Sequence, residues 1–374
     1  MNKITKALFL SLSAIIIAAF FAFLVDDEAH MKSSPSIKGL CWVAGDSIAT
    51  HNIDQITDIG TNWISQTPFG WMSGHDSPEV VLSNDRAWWG ETDRGIAHTA
   101  ELAKVSNVKT MLKPHIWLRR SNDKWRSDIE MKNDAEWSKW FESYRSWIIH
   151  YAILAEENGI EALCIGTELY QTTKQHPDEW RAIISDIRKV YSGQLTYAAN
   201  WYKEYEDIAF WDDLDYIGIQ AYFPLSKNEN PSKSELIKSW KKHKKGLEKI
   251  SKKFNKKIVF TEIGYKNTID AAKEPWTWPQ DMDHNIIVSE ETQTNCYSAL
   301  FESFWREDWF DGLFIWKWFH TTHQHKDFDS YFEARFERRK ARAKKRNREL
   351  GPQVYFTPQR TKAIDLICDW YFLD

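Results

Sequence analysis

A chain of 374 residues with a formal net charge of −4 is long enough for one large α/β domain, and it carries no global positive field for a nucleic-acid partner. Its 21 Trp and 14 Tyr supply core volume or stacking faces for sugars, and over half of the tryptophans are expected to serve packing. The four cysteines are far apart, and Cys41 and Cys164 fall inside apolar runs, so they are read as buried thiols rather than a disulfide framework.

The chain begins with an export signature. Ala7 to Val25 form an apolar run behind Lys3 and Lys6 and ahead of Asp26, Asp27 and Glu28. The run approaches bilayer-spanning length and lacks an A-x-A site, so residues 1–28 read as a signal peptide or a membrane anchor. Either reading places the remainder outside the cytoplasm. Residues 29–36 form a linker and 37–374 the folded domain.

Ile37 to Ala44 reads as a first strand, His51 to Ile59 as a helix, and Asn62 to Gln66 as a second strand. From Trp71 to Asp93, Gly, Pro, Asn and a Trp88-Trp89 pair suggest a long loop over a binding face. Gly95 to Val105 is helical. Lys109 to Trp117 (KTMLKPHIW) is read as one third strand, ending in Lys113, His115 and Trp117. Trp137 to Ala155 repeats aromatic and apolar residues at helical spacing and leads to the fourth strand, Ala162 to Leu169 (ALCIGTEL).

Pro177 opens the next helix. Gln194 to Asn200 is the fifth strand, with Asn200 and Trp201 at its end, and Tyr216 to Tyr222 is the sixth. Ser232 to Phe254 is a lysine-covered outer helix before the seventh strand, Ile258 to Tyr265 (IVFTEIGY). Glu290 to Arg306 is helical, Gly312 to Trp318 is the eighth strand, and Gln359 to Trp370 is the last helix. Between these two, residues 329–350 form a basic insertion, either plainly solvated or in contact with anionic lipid or polysaccharide.

Eight strand-like runs alternating with helices, without a hairpin signal, predict a single closed (β/α)8 barrel. Neither a G-x-G-x-x-G nor a phosphate-loop pattern supports nucleotide binding, and the absence of a G-x-S-x-G elbow argues against an esterase. His320, His323 and His325 lack the Cys or carboxylate partners of a closed zinc site, so no metal and no cofactor is expected.

Glu168 and Glu262 stand at the carboxyl ends of strands four and seven, where such barrels keep their chemistry. Two carboxyl groups about 5 Å apart suit retaining glycoside hydrolysis, one as nucleophile and the other as acid and then base. Tyr222 is placed to donate to Glu262, while Lys113 and His115 are candidates for tuning the pair or holding substrate hydroxyls. Trp42, Trp71, Trp117, Trp201 and Trp316, all near strand ends, are candidate sugar platforms.

Taken together, IGTEL, QAYFPL, FTEIGY and GLFIWKW resemble the retaining (β/α)8 glycosidases, and most closely glycoside hydrolase family 113, a β-mannanase family, over Ile37 to Trp370. The resemblance implies Glu168 as acid/base, Glu262 as nucleophile, Tyr222 supporting the nucleophile and Trp316 under the sugar. It also implies double displacement on a β-linked hexose polysaccharide or oligosaccharide such as β-1,4-mannan. Two features depart from the pattern: Thr167 occupies a position where many members of the larger clan carry an Asn that contacts the sugar 2-OH, and the basic insertion has no counterpart. A catalytically silent carbohydrate-binding barrel is the alternative from another class, and a transglycosylase the alternative on the same site. A pure binder has no need of two opposed carboxyls that are costly to desolvate. The expected partner is the glycan alone, with a monomeric chain, no nucleic acid, and membrane contact through residues 7–25.

Overall fold

The computed structural model describes residues 34–82, 87–278, 285–320, 328–345 and 350–373. The apolar run at 7–25, His323 and His325 lie outside these residues. No helix among the described residues is long and apolar enough to cross a membrane.

The strands are β1 (Ile37–Val43), β2 (Trp63–Gln66), β3 (Phe69–Met72), β4 (Val81–Leu82), β5 (Lys109–Leu112), β6 (His115–Leu118), β7 (Ala162–Thr167), β8 (Gln194–Asn200), β9 (Ile217–Gln220), β10 (Ile258–Ile263) and β11 (Phe310–Phe319). Eight of them close into a barrel in the order β1, β2, β5, β7, β8, β9, β10 and β11, with β11 returning to β1. Every neighbouring pair is parallel. The helices are α1 (Thr50–Thr57), α2 (Asp93–Val105), α3 (Asp134–Glu157), α4 (Tyr170–Gln175), α5 (Pro177–Ile187), α6 (Glu204–Asp207), α7 (Lys233–Phe254), α8 (Glu290–Phe304), α9 (Phe328–Lys345) and α10 (Ala363–Tyr371).

Local chemistry sets several of these boundaries. The Ser232 hydroxyl accepts from Glu235 N at the start of α7 while the Glu235 carboxylate accepts from Ser232 N, a reciprocal cap. Asn255 ends the same helix in the left-handed conformation. The Asn133 side chain caps α3, and Pro177 occupies the first turn of α5.

The third strand differs from its sequence reading. Lys109 to Trp117 is broken, because Pro114 has no N–H to continue the ladder. The barrel strand therefore stops at Leu112, and β6 pairs with β3 in a separate sheet of order β4-β3-β6. The segment read as a loop after Trp71 contributes β4, antiparallel to β3. This small sheet continues past the carboxyl ends of β2 and β5.

Barrel strands buried on both faces read as continuous apolar runs, and here successive residues divide between two cores. Ile37, Cys41, Trp63, Met111, Cys164 and Phe314 belong to an inner cluster, while Leu40, Trp42, Leu163, Ile165 and Phe260 pack in the larger cluster that includes the helices. All four cysteines are free thiols, and Cys41 and Cys164 are buried as expected. Burial, largely, pushes the Cys164 thiol up to about 11, so it stays protonated.

Candidate active site

At the end of β7 the backbone of Glu168 turns into the left-handed region, with φ of 53°. A non-glycine residue persists there only where its surroundings hold it. Two bonds do so: Glu168 N donates to Ala198 O at 2.9 Å and Leu169 N to the Tyr197 hydroxyl at 2.6 Å. Gly166 makes room for that tyrosine, since a Cβ there would stand 2.7 Å from Tyr197 Cε2. The Glu168 carboxylate accepts from Trp125 Nε1 at 2.9 Å and Asn200 Nδ2 at 3.1 Å, with Arg126 Nε at 3.5 Å.

Glu262, on β10, is held differently. Lys113 Nζ donates to its Oε1 at 2.7 Å and the Tyr222 hydroxyl to its Oε2 at 3.0 Å. Lys113 is fully buried and also donates to Thr261 O at 3.0 Å, so it reaches no substrate and serves the carboxylate. Burial is the largest influence and works to lower the Lys113 ammonium, but the charge and hydrogen bond of Glu262, with Cys41 and Cys164, together outweigh it and the net shift is upward. His115 Nε2 lies 3.9 Å from Glu262 Oε1. Burial first, then the charges of Arg126 and Lys113, hold this imidazole well below its ordinary value, so the ring is neutral. His115 Nε2 and Arg126 Nη1 are buried without a hydrogen-bond partner among the described residues, and both side chains line the cleft.

Both glutamates line one cavity of about 710 Å³ together with His115, Trp117, Asn200, Trp201, Tyr222 and Trp316. Trp201 stacks on Trp276 with centroids 5.2 Å apart, and Trp278 stands edge-on to Trp316 at 6.1 Å. The structure thus gathers most of the residues the sequence singles out. Trp42 and Trp71 are corrections. Trp42 neighbours the inward-facing Cys41, so strand alternation sends it outward, where it stacks on His320 at 4.9 Å. Trp71 sits on β3, where it leans on Phe69 and the Arg119 guanidinium lies over its ring at 5.7 Å. Neither lines the cleft. Thr167 is also withdrawn, buried near Cys164 Sγ at 4.0 Å, and the amide beside Glu168 comes instead from Asn200.

Trp125, Arg126, Trp276 and Trp278 escaped the sequence reading, as did a buried carboxyl behind Glu168. Glu204, on α6, accepts from Asn200 N at 2.7 Å and from the Tyr197 hydroxyl at 2.7 Å. It therefore braces two residues that fix Glu168, one through its side-chain amide and one through Leu169 N. Burial pushes the Glu204 carboxyl up to about 8; the Asn200 N–H and Tyr197 hydroxyl pull it down, while the Glu168 charge adds to the rise. From about pH 5 to about pH 8 the folded state then binds the proton that the unfolded state has lost, so this group's contribution to stability falls as pH rises. Thermal unfolding across that window should show the wild type losing ground steadily to Glu204→Gln; a constant difference would contradict the assignment.

A closed parallel barrel with paired glutamates in a tryptophan-walled cleft puts the protein in the class of (β/α)8 glycoside hydrolases. The chain belongs to Glycoside Hydrolase Family 113, whose model matches residues 43–334. Among solved structures it is similar to a GH113 β-1,4-mannanase complex at 23% identity and a TM-score of 0.71, covering 90% of this chain and 99% of that one. The GH113 β-mannanase of Alicyclobacillus acidocaldarius matches at 25% identity and a TM-score of 0.70, covering 90% and 97%. A β-glucuronidase from Ruminococcus gnavus shares the fold alone, at 12% identity and a TM-score of 0.55, with 50% of its chain covered. No curated protein sequence matches.

Proposed function

We propose that the enzyme hydrolyses β-1,4-mannan or its oligosaccharides with retention of configuration, with Glu262 as nucleophile and Glu168 as acid/base. The observation that carries this reading is the unlike surroundings of two carboxylates in one cleft. Lys113 Nζ and the Tyr222 hydroxyl each donate to one oxygen of Glu262, which orients its carboxylate for attack. Glu168 accepts instead from Trp125 and Asn200, with Arg126 Nε 3.5 Å away, and takes the acid/base role in this reading. The sugar specificity in this reading is supported by family membership and by the similarity to the β-mannanase of Alicyclobacillus acidocaldarius.

In the first step a Glu262 oxygen attacks C1, the C1–O glycosidic bond breaks, and the Glu168 proton passes to the departing oxygen. Water then attacks C1 of the glycosyl ester, its proton goes to Glu168, and the bond to Glu262 breaks. Two inversions give net retention. Tyr222 and Lys113 hold the nucleophile before attack, and they recover its charge when the ester is cleaved. The neutral His115 ring and the Arg126 guanidinium provide donors for substrate hydroxyls.

Incubating the full chain with β-mannan, β-glucan, xylan and galactan, and following the anomer released from the mannan by proton NMR, tests the reading. β-Configured product appearing first from mannan is the expected result. The α-anomer appearing first would overturn the double displacement, and activity confined to another glycan would overturn the specificity.

A further inference from the structure

The basic segment after β11, left without a role by the sequence, has one face turned to a second cavity. Phe332, Arg335, Phe336 and Arg339 recur at three- and four-residue spacing along α9, which puts them on one side of the helix, and all four line a space of about 510 Å³. Lys317, near the end of β11, and the segment Val354–Thr357 complete much of its wall. Trp117, Trp125, Trp278 and Phe356 line both this space and the cleft, so it is a side extension of the cleft.

Lys317 and Arg335 meet there, and Arg339 lines the same space. Lys317 Nζ and the Arg335 guanidinium each lie 5.1 Å from the Phe319 ring, and Lys317 Nζ is also 5.1 Å from the ring of Trp316 and 5.4 Å from that of Trp278. The Lys317 ammonium is pushed down to about 8, by burial first and then by the charge of Arg335, while Glu262 opposes the shift. Lys317 and Arg335 therefore feel one another. A neutral mannosyl unit has nothing to exchange with such a field, whereas guanidinium forks and an ammonium bind carboxylate and phosphate oxygens well, and the surrounding rings suit a pyranose.

We propose that this side pocket binds the anionic group of an acidic sugar, a hexuronate carboxylate or a sugar phosphate, carried by the glycan whose neutral backbone occupies the cleft. The inference rests on the glycosidase reading and narrows its substrate to β-mannan-type glycans bearing acidic units. α9 then acts as a specificity element placed next to the Trp316 sugar platform.

The test compares three β-1,4-manno-oligosaccharides of equal length: neutral, with one glucuronosyl branch, and with one phosphate monoester. Rates are measured for the full-length wild type and for the Arg335→Gln/Arg339→Gln double variant, whose altered side chains are both exposed and so put folding at little risk. Affinities are measured by calorimetry in a Glu262→Gln background at low and high salt. The wild type should favour at least one acidic oligosaccharide by about tenfold or more in kcat/KM, a preference equal to about 1.4 kcal/mol. The double variant should lose most of that preference, and the tighter binding should weaken with salt. Preference for the uronate alone or the phosphate alone supports the pocket and names its anion. Equal treatment of neutral and acidic oligosaccharides, or a preference the double variant retains, overturns it. Should the wild type cleave none of them, the glycosidase reading fails, and the calorimetry still decides the pocket: salt-sensitive preference for the acidic sugar supports it and equal affinity overturns it.

Discussion

Glu262→Gln should lower kcat on mannan by about 10⁵-fold, the scale expected when a covalent nucleophile is lost, with oligosaccharide affinity changed little. Glutamine is the informative substitution. It retains an oxygen to accept from Lys113 or Tyr222 and cannot form a glycosyl ester. Alanine would strand the fully buried Lys113 ammonium beside a cavity, and unfolding would then confound the kinetics. Stopped-flow or prolonged product assays on the folded variant check the expectation. A kcat within tenfold of wild type would remove Glu262 from the reaction.

Lys113→Met should have the second large effect, on stability and on turnover together. Breaking one side of a buried ion pair leaves the other charge uncompensated, and such changes cost about 3–5 kcal/mol. Chemical denaturation would measure that loss. The same change removes the cation 2.7 Å from Glu262 Oε1 that orients the nucleophile, so kcat of the folded variant should fall by about 100-fold while oligosaccharide affinity changes little. A purely structural lysine would reduce stability and leave the kcat of the folded protein where it was. An unchanged kcat in a folded variant would therefore contradict the role assigned to this pair.

Much of this site was legible because barrel chemistry is tied to strand ends. β8 matches its sequence reading residue for residue, and the two apolar runs ending in Glu168 and Glu262 proved to be the fourth and seventh barrel strands. Tyr222 was readable for the same reason, since the end of the sixth strand adjoins the seventh. What stayed hidden depends on parity or on long connections. Trp42 ends a strand like the other candidates, but a shift of one residue decides which face it takes. Pro114 was visible in the sequence, yet its consequence required the partner strand β3 to be known. Trp125 caps and Arg126 opens a short turn in the connection between β6 and α3, and no local pattern brings them to a glutamate some forty residues later. Glu204 lies on a four-residue helix whose exposed-looking EYED sequence gives no sign of burial. The basic insertion was plain as composition, and only the helical phase of Phe332, Arg335, Phe336 and Arg339 turned it into a surface with an address.

One trapping experiment tests the double displacement on this cleft most directly. A 2-deoxy-2-fluoro-mannosyl donor with a good leaving group slows both steps, the second more, so a retaining enzyme accumulates its glycosyl ester. Intact-mass and peptide mass spectrometry should find one fluoromannosyl group, on Glu262. A mannan-active enzyme that never carries the adduct, or carries it on Glu168, would contradict the assignment of the two glutamates.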